Sequence, residues 1–502
     1  MTRANHARDS PADISSIQQS MMHFSLSKNR DAARARQTNA RRDLTRHARC
    51  LAGLEDVNSS DDNINFSGHL VNETVNLRKV VSGPGELNFA QVEGELGAAV
   101  VNAGDPDVEM DADEARDTYD ESNAAQASVS THTNKNSSNY SPGRQNRRRN
   151  SSAPGQWSKT NYSKNNQTNF GDSQFMRPEW MVDIPVDLWS GWCVVARPEG
   201  QRALVIASRG STIARGKSGR LIKRFISALP GGSKKTRHGN DEANFCILDC
   251  VFHEGDETFY VLDCLAWNGV SLYDCACEMR LAWLHSKIGD PEVAECPEAC
   301  SVDDGDKNQF RFLPLAVFDA NGNGIRNAYE TRTPYKMDGL IFLAKDGAYA
   351  LGLSPLAILW KDDVISSHFL EENGDEVSDP EIQRIVLSLN AKTGDVVTGD
   401  ATPTAFARLP MEYVAFEDGG KAQVGGGIRD NSLLRFKVGE GGIIFDETSG
   451  TPTTADLIYE GLANQKRRHG ADVLTKIVFQ YNARREPLTI QEIVTTVEEQ
   501  SK

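Results

Sequence analysis

The stretch from Trp180 to Gly219 constrains the fold of this chain more than any other. Two runs rich in β-branched and apolar residues, 192–197 and 202–208, flank the turn Pro198-Glu199-Gly200. Such a pattern is typical of antiparallel strands joined by a tight turn. The pair predicts a sheet near the start of a folded domain.

A basic, glycine-rich loop follows these two runs and carries Arg209, Arg215 and Lys217. Cations beside an exposed tryptophan suit a phosphate-bearing base, because the cations meet the phosphates and the indole stacks on the base. A strand pair with a solvated basic loop is the competing interpretation. The stretch alone does not decide between them.

Further patterns place this pair in an α+β fold with mainly antiparallel sheets. Strand-like runs occur at 245–252, 259–265 and 339–344, and residues 277–288 have a helical pattern. Beyond residue 365 strand-like runs recur, and we predict a helix near 455–468. The runs in this region are 406–416, 433–438 and 442–446.

Composition limits the classes of function. A net charge of −15 argues against bulk nucleic-acid binding, so any RNA contact must be local. The nine cysteines include no C-x-x-C pair, which favours reduced thiols over a zinc site. No run approaches about 18 apolar residues and no apolar leader follows the N-terminus, so we expect a soluble intracellular protein without a membrane partner.

The N-terminal third is too polar to build a core of its own. Residues 14–26 place apolar side chains at the spacing of a short amphipathic segment, and an unremarkable amphipathic turn is the alternative; these side chains are Ile14, Ile17, Met21, Phe24 and Leu26. Residues 28–49 carry eight Lys and Arg against two Asp, which predicts a segment that orders on an acidic partner. Residues 57–174 are acidic and then rich in Ser and Asn, and predict a disordered linker.

A series of short sequence runs in the middle of the chain resembles, in the same order, the cap-binding domain of snurportin. The matching runs are RALVIASRGST (202–212), LPGG (229–232), ILDC (247–250), YVLDCLAWNG (260–269), WLHSK (283–287) and MDGLIF (337–342). Snurportins recognise trimethylguanosine-capped small nuclear RNAs for nuclear import. Their domain is similar to the nucleotidyltransferase domain of mRNA capping enzymes. The resemblance implies the same fold, and a degenerate oligonucleotide-binding (OB-like) barrel after it.

The resemblance also implies the cap-binding residues. Trp180 matches a tryptophan near the methylated amine, and Trp360 is the candidate that stacks on the guanine. Leu359 would occupy that position in an alignment without a gap. Arg202 and Lys217 match phosphate contacts, and Arg209 is a further helper. We assign four further tryptophans to the core: Trp189, Trp192, Trp267 and Trp283.

The chemistry of capping enzymes is not expected here, so we predict no enzyme and no cofactor. In those enzymes a lysine of K-x-D-G-x-R attacks the nucleotide, whereas this chain has Arg197 there. A guanidinium that stays protonated cannot act as a nucleophile. Val251 stands where the family has a metal-binding Glu. A divergent guanylyltransferase-like enzyme, or another capped-RNA-binding factor, is the alternative function.

The basic run resembles the importin-β-binding arm of snurportin, especially in its closing HAR-x-LA at 47–52. A solvated helix face and a nucleic-acid tail are the alternatives. The resemblance implies importin-β contacts by Arg34, Arg36, Arg41, Arg42, Arg46 and Arg49. Residues 14–26 resemble a leucine-rich nuclear export signal, which implies an exportin partner for this segment and shuttling between nucleus and cytoplasm.

We therefore divide the chain into an export-signal-like segment (1–27), a basic arm (28–56), a linker (57–174), a cap-binding domain (175–365) and a C-terminal extension (366–502). One motif does not belong to this plan. Residues 319–330 fit the calcium-loop pattern D-x-[DN]-x-[DN]-G-x5-E, but their proline-containing flanks do not read as paired helices. We expect no metal there.

Overall fold

The molecule is a computed structural model. It describes residues 26–38, 44–54, 174–234, 236, 244–288, 310–370, 379–415, 417–418, 421–422, 427–445, 452–463 and 470–502. The predicted linker 57–174 therefore lies outside the described residues apart from residue 174, as does most of the export-signal-like segment.

The central domain is built from two sheets that share one hydrophobic core. The first sheet has the order β1-β12-β11-β2-β10, with β1 parallel to β12 and the other pairs antiparallel. Its strands are β1 (Met176–Trp180), β2 (Trp192–Pro198), β10 (Val317–Asp319), β11 (Met337–Ala344) and β12 (Gly352–Trp360).

The second sheet has the order β5-β4-β3-β6-β7-β8, and β9 pairs in parallel with β7. Its strands are β3 (Gln201–Ser208), β4 (Ser211–Gly216), β5 (Leu221–Phe225), β6 (Phe245–His253), β7 (Thr258–Trp267), β8 (Val270–Ser271) and β9 (Arg311–Pro314). The predicted turn at Pro198-Glu199-Gly200 does join β2 to β3, but the two strands belong to different sheets. The chain changes sheets at this turn.

Hydrophobic burial explains why these runs form strands. All ten residues of β7 are buried, as expected for a strand covered on both faces. Phenylalanine side chains pack on one another between β5, β6, β7 and β9, with ring centroids 4.6–6.2 Å apart; they are Phe225, Phe252, Phe259, Phe310 and Phe312. The predicted α+β class with mainly antiparallel sheets is confirmed.

Seven helices accompany the sheets in the part of the chain described here. They are α1 (residues 26–38), α2 (Thr45–Leu51), α3 (Leu188–Gly191), α4 (Cys277–Ile288), α5 (Gly322–Glu330), α6 (Leu474–Ala483) and α7 (Ile490–Gln500). The helix predicted over 277–288 coincides with α4. No described helix is both long and apolar enough to cross a bilayer.

The C-terminal extension begins with a five-stranded antiparallel sheet of order β15-β14-β13-β18-β19. Its strands are β13 (Arg384–Asn390), β14 (Asp395–Val397), β15 (Ala405–Arg408), β18 (Leu433–Phe445) and β19 (Pro452–Leu462), and a two-stranded ribbon of β16 (Glu417–Asp418) and β17 (Lys421–Ala422) is inserted. The edge strands β15 and β19 also contact each other. A five-stranded, partly open antiparallel barrel of this kind is the arrangement expected of an OB-like region.

The helix predicted near 455–468 is wrong in its described part. Residues 452–462 form β19, which pairs along its length with β18. The segment TADLIYEGL contains no strong helix breaker before Gly461, so local propensity does not exclude a helix. Pairing with β18 overrides that propensity, and the ring of Tyr459 packs 5.7 Å from the ring of Phe436.

Candidate functional site

A single carboxylate organises the charged centre of the first sheet. Asp338 Oδ1 lies 2.9 Å from Lys361 Nζ and accepts a 2.5 Å hydrogen bond from Ser366 Oγ. Its other oxygen, Oδ2, accepts a hydrogen bond from Arg197 Nη1. Lys361 is 1% exposed and Asp338 5%. Two cations therefore share one buried anion, at the position that the sequence resemblance assigns to capping-enzyme chemistry.

Gly339 brings β11 and β12 close together beside this carboxylate. Its φ of +111° favours glycine, and an added Cβ would lie 2.5 Å from the carbonyl oxygen of Trp360. The same Cβ would meet Lys361 Cγ and Leu359 Cδ1 at 2.8 and 3.4 Å. Leu359 and Lys361 thus lie on the same face of β12, towards Gly339.

Arg202 belongs to a second charged cluster, at the start of β3. Its Nε and Nη2 donate to the two oxygens of Asp249 at 2.9 and 2.5 Å, and Tyr349 donates its hydroxyl to Asp249 Oδ2 at 2.7 Å. Burial acts to lower the pKa of Arg202, but the charge of Asp249 raises it above its usual value. The guanidinium also lies over the ring of Phe175, at 5.3 Å. Arg202 is therefore held by a bidentate pair rather than directed freely at a ligand.

Lys217 and Arg209 lie at opposite ends of the β3–β4 hairpin. Lys217 is exposed just after β4, near the end of the hairpin where Ala203 pairs with Gly216. Arg209 is exposed in the turn between the strands, with φ +52°. Strands rise about 3.3 Å per residue, so the six residues from Ala203 to Arg209 span roughly 20 Å. The structure brings Lys217 towards Arg202 but places Arg209 away from both.

Trp180 ends β1 and is almost covered. It is 8% exposed, and its ring lies 4.9 Å from the ring of Phe479 on α6. Lys361 Nζ lies 5.6 Å from the ring centroid of Trp180, within the range of a cation–π contact. Trp180 therefore lies next to the Asp338 cluster, while α6 covers its ring.

Trp360 is a core residue in this arrangement, which corrects the stacking role predicted for it. Its side chain is 0% exposed, and its Nε1 donates to the backbone oxygen of Leu488 at 2.9 Å. The ring of Tyr329 on α5 lies 6.0 Å away. Alternate residues of a strand point to opposite faces, so Trp360 points away from the face that holds Leu359 and Lys361. The burial of Trp360 favours the alignment without a gap, in which Leu359 takes the stacking position.

A cavity of about 340 Å³ lies between the segment 181–184, Lys361 and the helices α6 and α7. Its wall is mainly apolar and includes Met181, Phe369 and Phe479; its charged groups are Asp183, Lys361 and Glu486. This volume is at the lower end of the range for small-molecule sites. Neither Arg202, Lys217 nor Arg209 borders it. The predicted cap-binding residues therefore do not converge on one cavity in this conformation.

Sequence reasoning missed Tyr349 and gave Asp249 no role in binding Arg202. Tyr349 also accepts a 3.0 Å hydrogen bond from the backbone N–H of Met176, so it ties β1 to the Arg202 pair. Glu179 was missed as well. Burial raises its pKa to about 7, and the nearby charge of Arg30 opposes that shift. Asp249 lies on β6 and Arg202 on β3, so nothing in the local sequence around either residue indicates that they pair.

The segment 319–330, which matches the calcium-loop pattern, caps a helix and forms an ion pair within the fold. Asn321 caps α5 by accepting a 2.9 Å hydrogen bond from the backbone N–H of Gly324, and Asp319 pairs with Lys345 at 2.7 Å. Two oxygens of the calcium-loop pattern are thus engaged by the protein itself. Among the described residues, no cluster of three or more potential ligands is placed to hold a metal ion.

Some arginines of the basic arm contact the central domain, and others are exposed. Arg34 contacts the central domain, Arg36 is exposed on α1, and Arg46 and Arg49 lie on α2. Arg41 and Arg42 lie outside the described residues. So do four of the five apolar residues of the export-signal-like segment, namely Ile14, Ile17, Met21 and Phe24, while Leu26 is buried against the C-terminal barrel.

Residues 174–362 match the family model of the snurportin-1 m3G cap-binding domain. The resemblance inferred from the ordered runs is thereby confirmed, and the chain is snurportin-like over this segment. The match begins at the first described residue of the central domain and ends just after β12.

Several solved DNA ligase structures are also similar to this chain. A mycobacterial DNA ligase D complexed with ATP and MES is 12% identical over 60% of this chain and 99% of that chain, with a TM-score of 0.26. The ligase domain of M. tuberculosis LigD is 11% identical over 58% and 95% of the two chains, with a TM-score of 0.25. Identities of this order carry no information about substrate or activity.

Proposed function

We propose that this chain is a nuclear import adaptor that binds the trimethylguanosine cap of small nuclear RNAs and links them to importin-β. Its central domain is of the m3G cap-binding type, which supports binding of capped RNA. The observation that carries the whole proposal is the order of parts. A basic arm of the importin-β-binding pattern stands before that domain in one chain.

Cap recognition, in this proposal, uses Trp180 as an aromatic contact and Lys217 as a phosphate contact. Trp180 already lies beside Lys361, and Lys217 is exposed at the end of the β3–β4 hairpin. Cation–π attraction would favour a guanine that carries positive charge from N7 methylation. Arg202 supports the site indirectly in this proposal: its pair with Asp249, which also binds Tyr349, holds β1 in place, and Arg202 does not contact the phosphates itself.

A titration with cap dinucleotides tests this part. Trimethylguanosine, N7-monomethylguanosine and unmethylated caps are added to the full chain, and tryptophan fluorescence reports binding. We expect the trimethylated cap to bind most tightly. Equal affinity for all three caps, or no binding, would reject the proposed ligand.

Importin-β binding by the basic arm is tested with a peptide of residues 26–54. Reversing the charge of Arg41, Arg42, Arg46 and Arg49 should abolish the complex, and salt should weaken the unmodified one. The reversal in the arm is repeated in the full chain, where the matched control reverses four cations of the linker, Arg144, Arg147, Arg148 and Arg149. If both reversals act alike, general charge rather than the arm explains the binding.

The segment 14–26, which resembles a nuclear export signal, gives the adaptor a proposed exportin partner, and with it shuttling between nucleus and cytoplasm. Leu26 is buried among barrel residues, so exportin binding would require this end of the segment to leave the barrel. Replacing Ile14 and Ile17 by Ala should retain the protein in the nucleus. A distribution unchanged by that substitution would argue against the segment as an export signal.

The enzyme alternative is a guanylyltransferase-like activity, and Asp338 bears on it. Arg197 occupies the position of the nucleophilic lysine and is paired with that carboxylate. A capped-RNA-binding factor outside transport is the other alternative, and would leave importin-β unbound by residues 26–54. Incubation with labelled GTP and a divalent ion, followed by denaturation, separates enzyme from adaptor, since only the enzyme keeps a covalent label.

A further inference from the structure

One face of α1 is buried against the rest of the protein. Leu26, Arg30 and Ala33 are 7, 4 and 8% exposed and follow each other at the four- and three-residue spacing of a helix face. Leu26 packs into the core of the C-terminal barrel, and Ala33 into the core of the central domain. Other charged residues of α1, such as Lys28 and Arg36, are on exposed faces of the helix.

The buried face is held by an ion pair that water hardly reaches. Arg30 donates to both oxygens of Asp183 at 3.0 and 2.5 Å, and the two side chains are 5 and 4% exposed. Asp183 lies three residues after Trp180, in the segment that joins β1 to α3. A buried bidentate pair has defined geometry, and removing one partner leaves the other charge uncompensated. Arg30 is therefore specifically docked.

One turn further along α1, Arg34 makes a second set of ionic contacts with the same surface. Its Nη2 lies 2.7 Å from Asp187 Oδ2, and its Nε lies 3.2 Å from Asp346 Oδ2. The guanidinium also lies 6.0 Å from the ring centroid of Trp192, whose Nε1 donates to Asp187 at 3.0 Å. At the end of the helix, Gln37 accepts a 3.0 Å hydrogen bond from the backbone N–H of Ala348.

The second helix of the arm docks on the other sheet of the same domain. His47 and Ala48 are buried, and the imidazole lies edge-on to Tyr273 at 5.8 Å. Ser208 donates a 3.0 Å hydrogen bond to the backbone oxygen of Ala52. Both described parts of the basic arm therefore lie on the central domain.

We infer that Asp183, Asp187 and Asp346 form a docking surface for the chain's own basic arm, and that this docking competes with importin-β. The inference rests on the proposed function for the identity of the competitor. Arg34 cannot pair with Asp187 and with an acidic groove of importin-β at the same time. The apparent affinity of importin-β is then the intrinsic affinity reduced by the fraction of released arm.

Two variants of the docking surface test this in the full chain. Asp183→Asn removes the buried charge that holds Arg30, and Asp346→Lys reverses an exposed charge that holds Arg34. Asp363→Lys is the control, because Asp363 is exposed on the loop after β12. Amide hydrogen exchange of α1 reports docking, and titration reports importin-β affinity. Neither measurement depends on cap binding.

We expect α1 amides to exchange at least about tenfold faster in Asp183→Asn, and importin-β to bind tighter by a similar factor. Asp346→Lys should change both in the same direction by a smaller factor, and Asp363→Lys should change neither. If Asp183→Asn loses its cooperative thermal transition, the variant is unfolded and uninformative. The exposed Asp346→Lys variant then tests whether docking competes with importin-β.

Two results overturn the inference. Exchange of α1 at unfolded-chain rates in the unmodified protein means that the arm does not dock. Faster exchange in the variants without tighter importin-β binding means that docking does not compete. If the isolated 26–54 peptide fails to bind importin-β, the proposed function fails instead, while exchange of α1 still decides the docking.

Discussion

Asp338 illustrates how single residues define the chemistry available to the central domain. Its carboxylate holds Arg197 and Lys361 together, so Arg197, which aligns with the nucleophilic lysine of capping enzymes, and the nearby Lys361 are both paired. A nucleophilic lysine needs its amine deprotonated and free to attack. The arrangement instead holds Arg197 and Lys361 on one carboxylate, with Lys361 next to the ring of Trp180.

The first prediction concerns that position. We expect Arg197→Lys to form no covalent nucleotide adduct, because the new amine would pair with Asp338 and Val251 supplies no metal ligand. Labelled GTP with magnesium or manganese, followed by denaturing electrophoresis, is the measurement. A label that survives denaturation would support the guanylyltransferase alternative.

The second prediction separates the two tryptophans that the sequence nominated. Trp360→Ala should lower the free energy of unfolding by about 3–5 kcal/mol, because it empties a fully buried site. Trp180→Ala should weaken cap binding by about 1–3 kcal/mol, which is the usual loss for one stacked base. Urea denaturation and cap titration of both variants measure the two effects. A large loss of cap affinity in folded Trp360→Ala, with none in Trp180→Ala, would reverse the assignment.

For single residues, the sequence predicts which side chains belong to the site better than it predicts which way each side chain points. The resemblance located Trp180, Arg197 and the Trp360-Lys361 pair, but a gap of one residue decides which side chain faces the ligand. Strand alternation makes such a slip move a side chain to the other face. Of the four tryptophans assigned to the core, Trp192 and Trp267 are buried, whereas Trp189 and Trp283 are about 40% exposed.

Among the elements, α6 has the most direct bearing on the candidate site. It covers Trp180 through Phe479, and Thr475 Oγ1 accepts a 3.3 Å hydrogen bond from the Trp180 backbone N–H. A cap base that stacks on Trp180 must therefore displace the Phe479 ring or approach from the side of Lys361. The element comes from the C-terminal extension, outside the segment that matches the cap-binding family.

The third prediction follows from this cover. Phe479→Ala should raise the affinity for the trimethylated cap several-fold, because it uncovers the Trp180 ring, while lowering the free energy of unfolding by about 3–5 kcal/mol. Phe406→Ala truncates another buried phenylalanine, in the barrel core, and serves as the control. It should lower stability without raising affinity. Equal cap affinity in all three proteins would show that α6 does not restrict the site.

The fourth prediction concerns α2 and pH. Burial lowers the pKa of His47 from 6.5 to about 4. Docked α2 therefore binds fewer protons than released α2 between these values, and docking weakens as the pH falls from 6.5 towards 4. The change is at most about 1.4 kcal/mol per pH unit. Tyr273 is the ring that faces the imidazole.

Imidazole proton shifts measure this directly. We expect a His47 pKa near 4 in the full chain and near the ordinary value in a peptide of residues 44–54. His47→Asn should remove the corresponding pH dependence of thermal stability. An ordinary pKa for His47 in the full chain would mean that α2 is not docked at neutral pH.

The long strands β2, β3, β6, β7 and β11 of the central domain could be predicted because their apolar runs are long and bounded by turns. β19 could not be, since its residues alternate only weakly and its strand conformation depends on pairing with β18, the strand just before it in the chain. Strand propensity reflects such cross-strand contacts more than it reflects the segment itself. The predicted break between 433–438 and 442–446 is also absent, because β18 continues through Gly439, Gly441 and Gly442 with a shift in register.

At the scale of the whole molecule, the contacts of the arm were beyond the reach of the sequence. Arg30 and Asp183 are 153 positions apart, and neither belongs to a motif. The sequence predicts that the arm orders on an acidic partner, and it does not indicate that Asp183, Asp187 and Asp346 of the central domain contact the arm. Charge complementarity identifies a kind of surface and leaves open whether it lies in the same chain.

The burial of Leu26, Arg30 and Ala33 together has a consequence for the speed of receptor capture. These side chains lie on one helix face, so we expect the arm to leave as a unit and its opening to be slow compared with diffusion. In stopped-flow mixing, the observed association rate should then rise with importin-β concentration and level off at the opening rate. Asp183→Asn should lift this plateau, whereas a rate that stays linear would indicate an arm that is always open. Handover to the receptor would then be timed by the adaptor itself, largely independent of how abundant the receptor is.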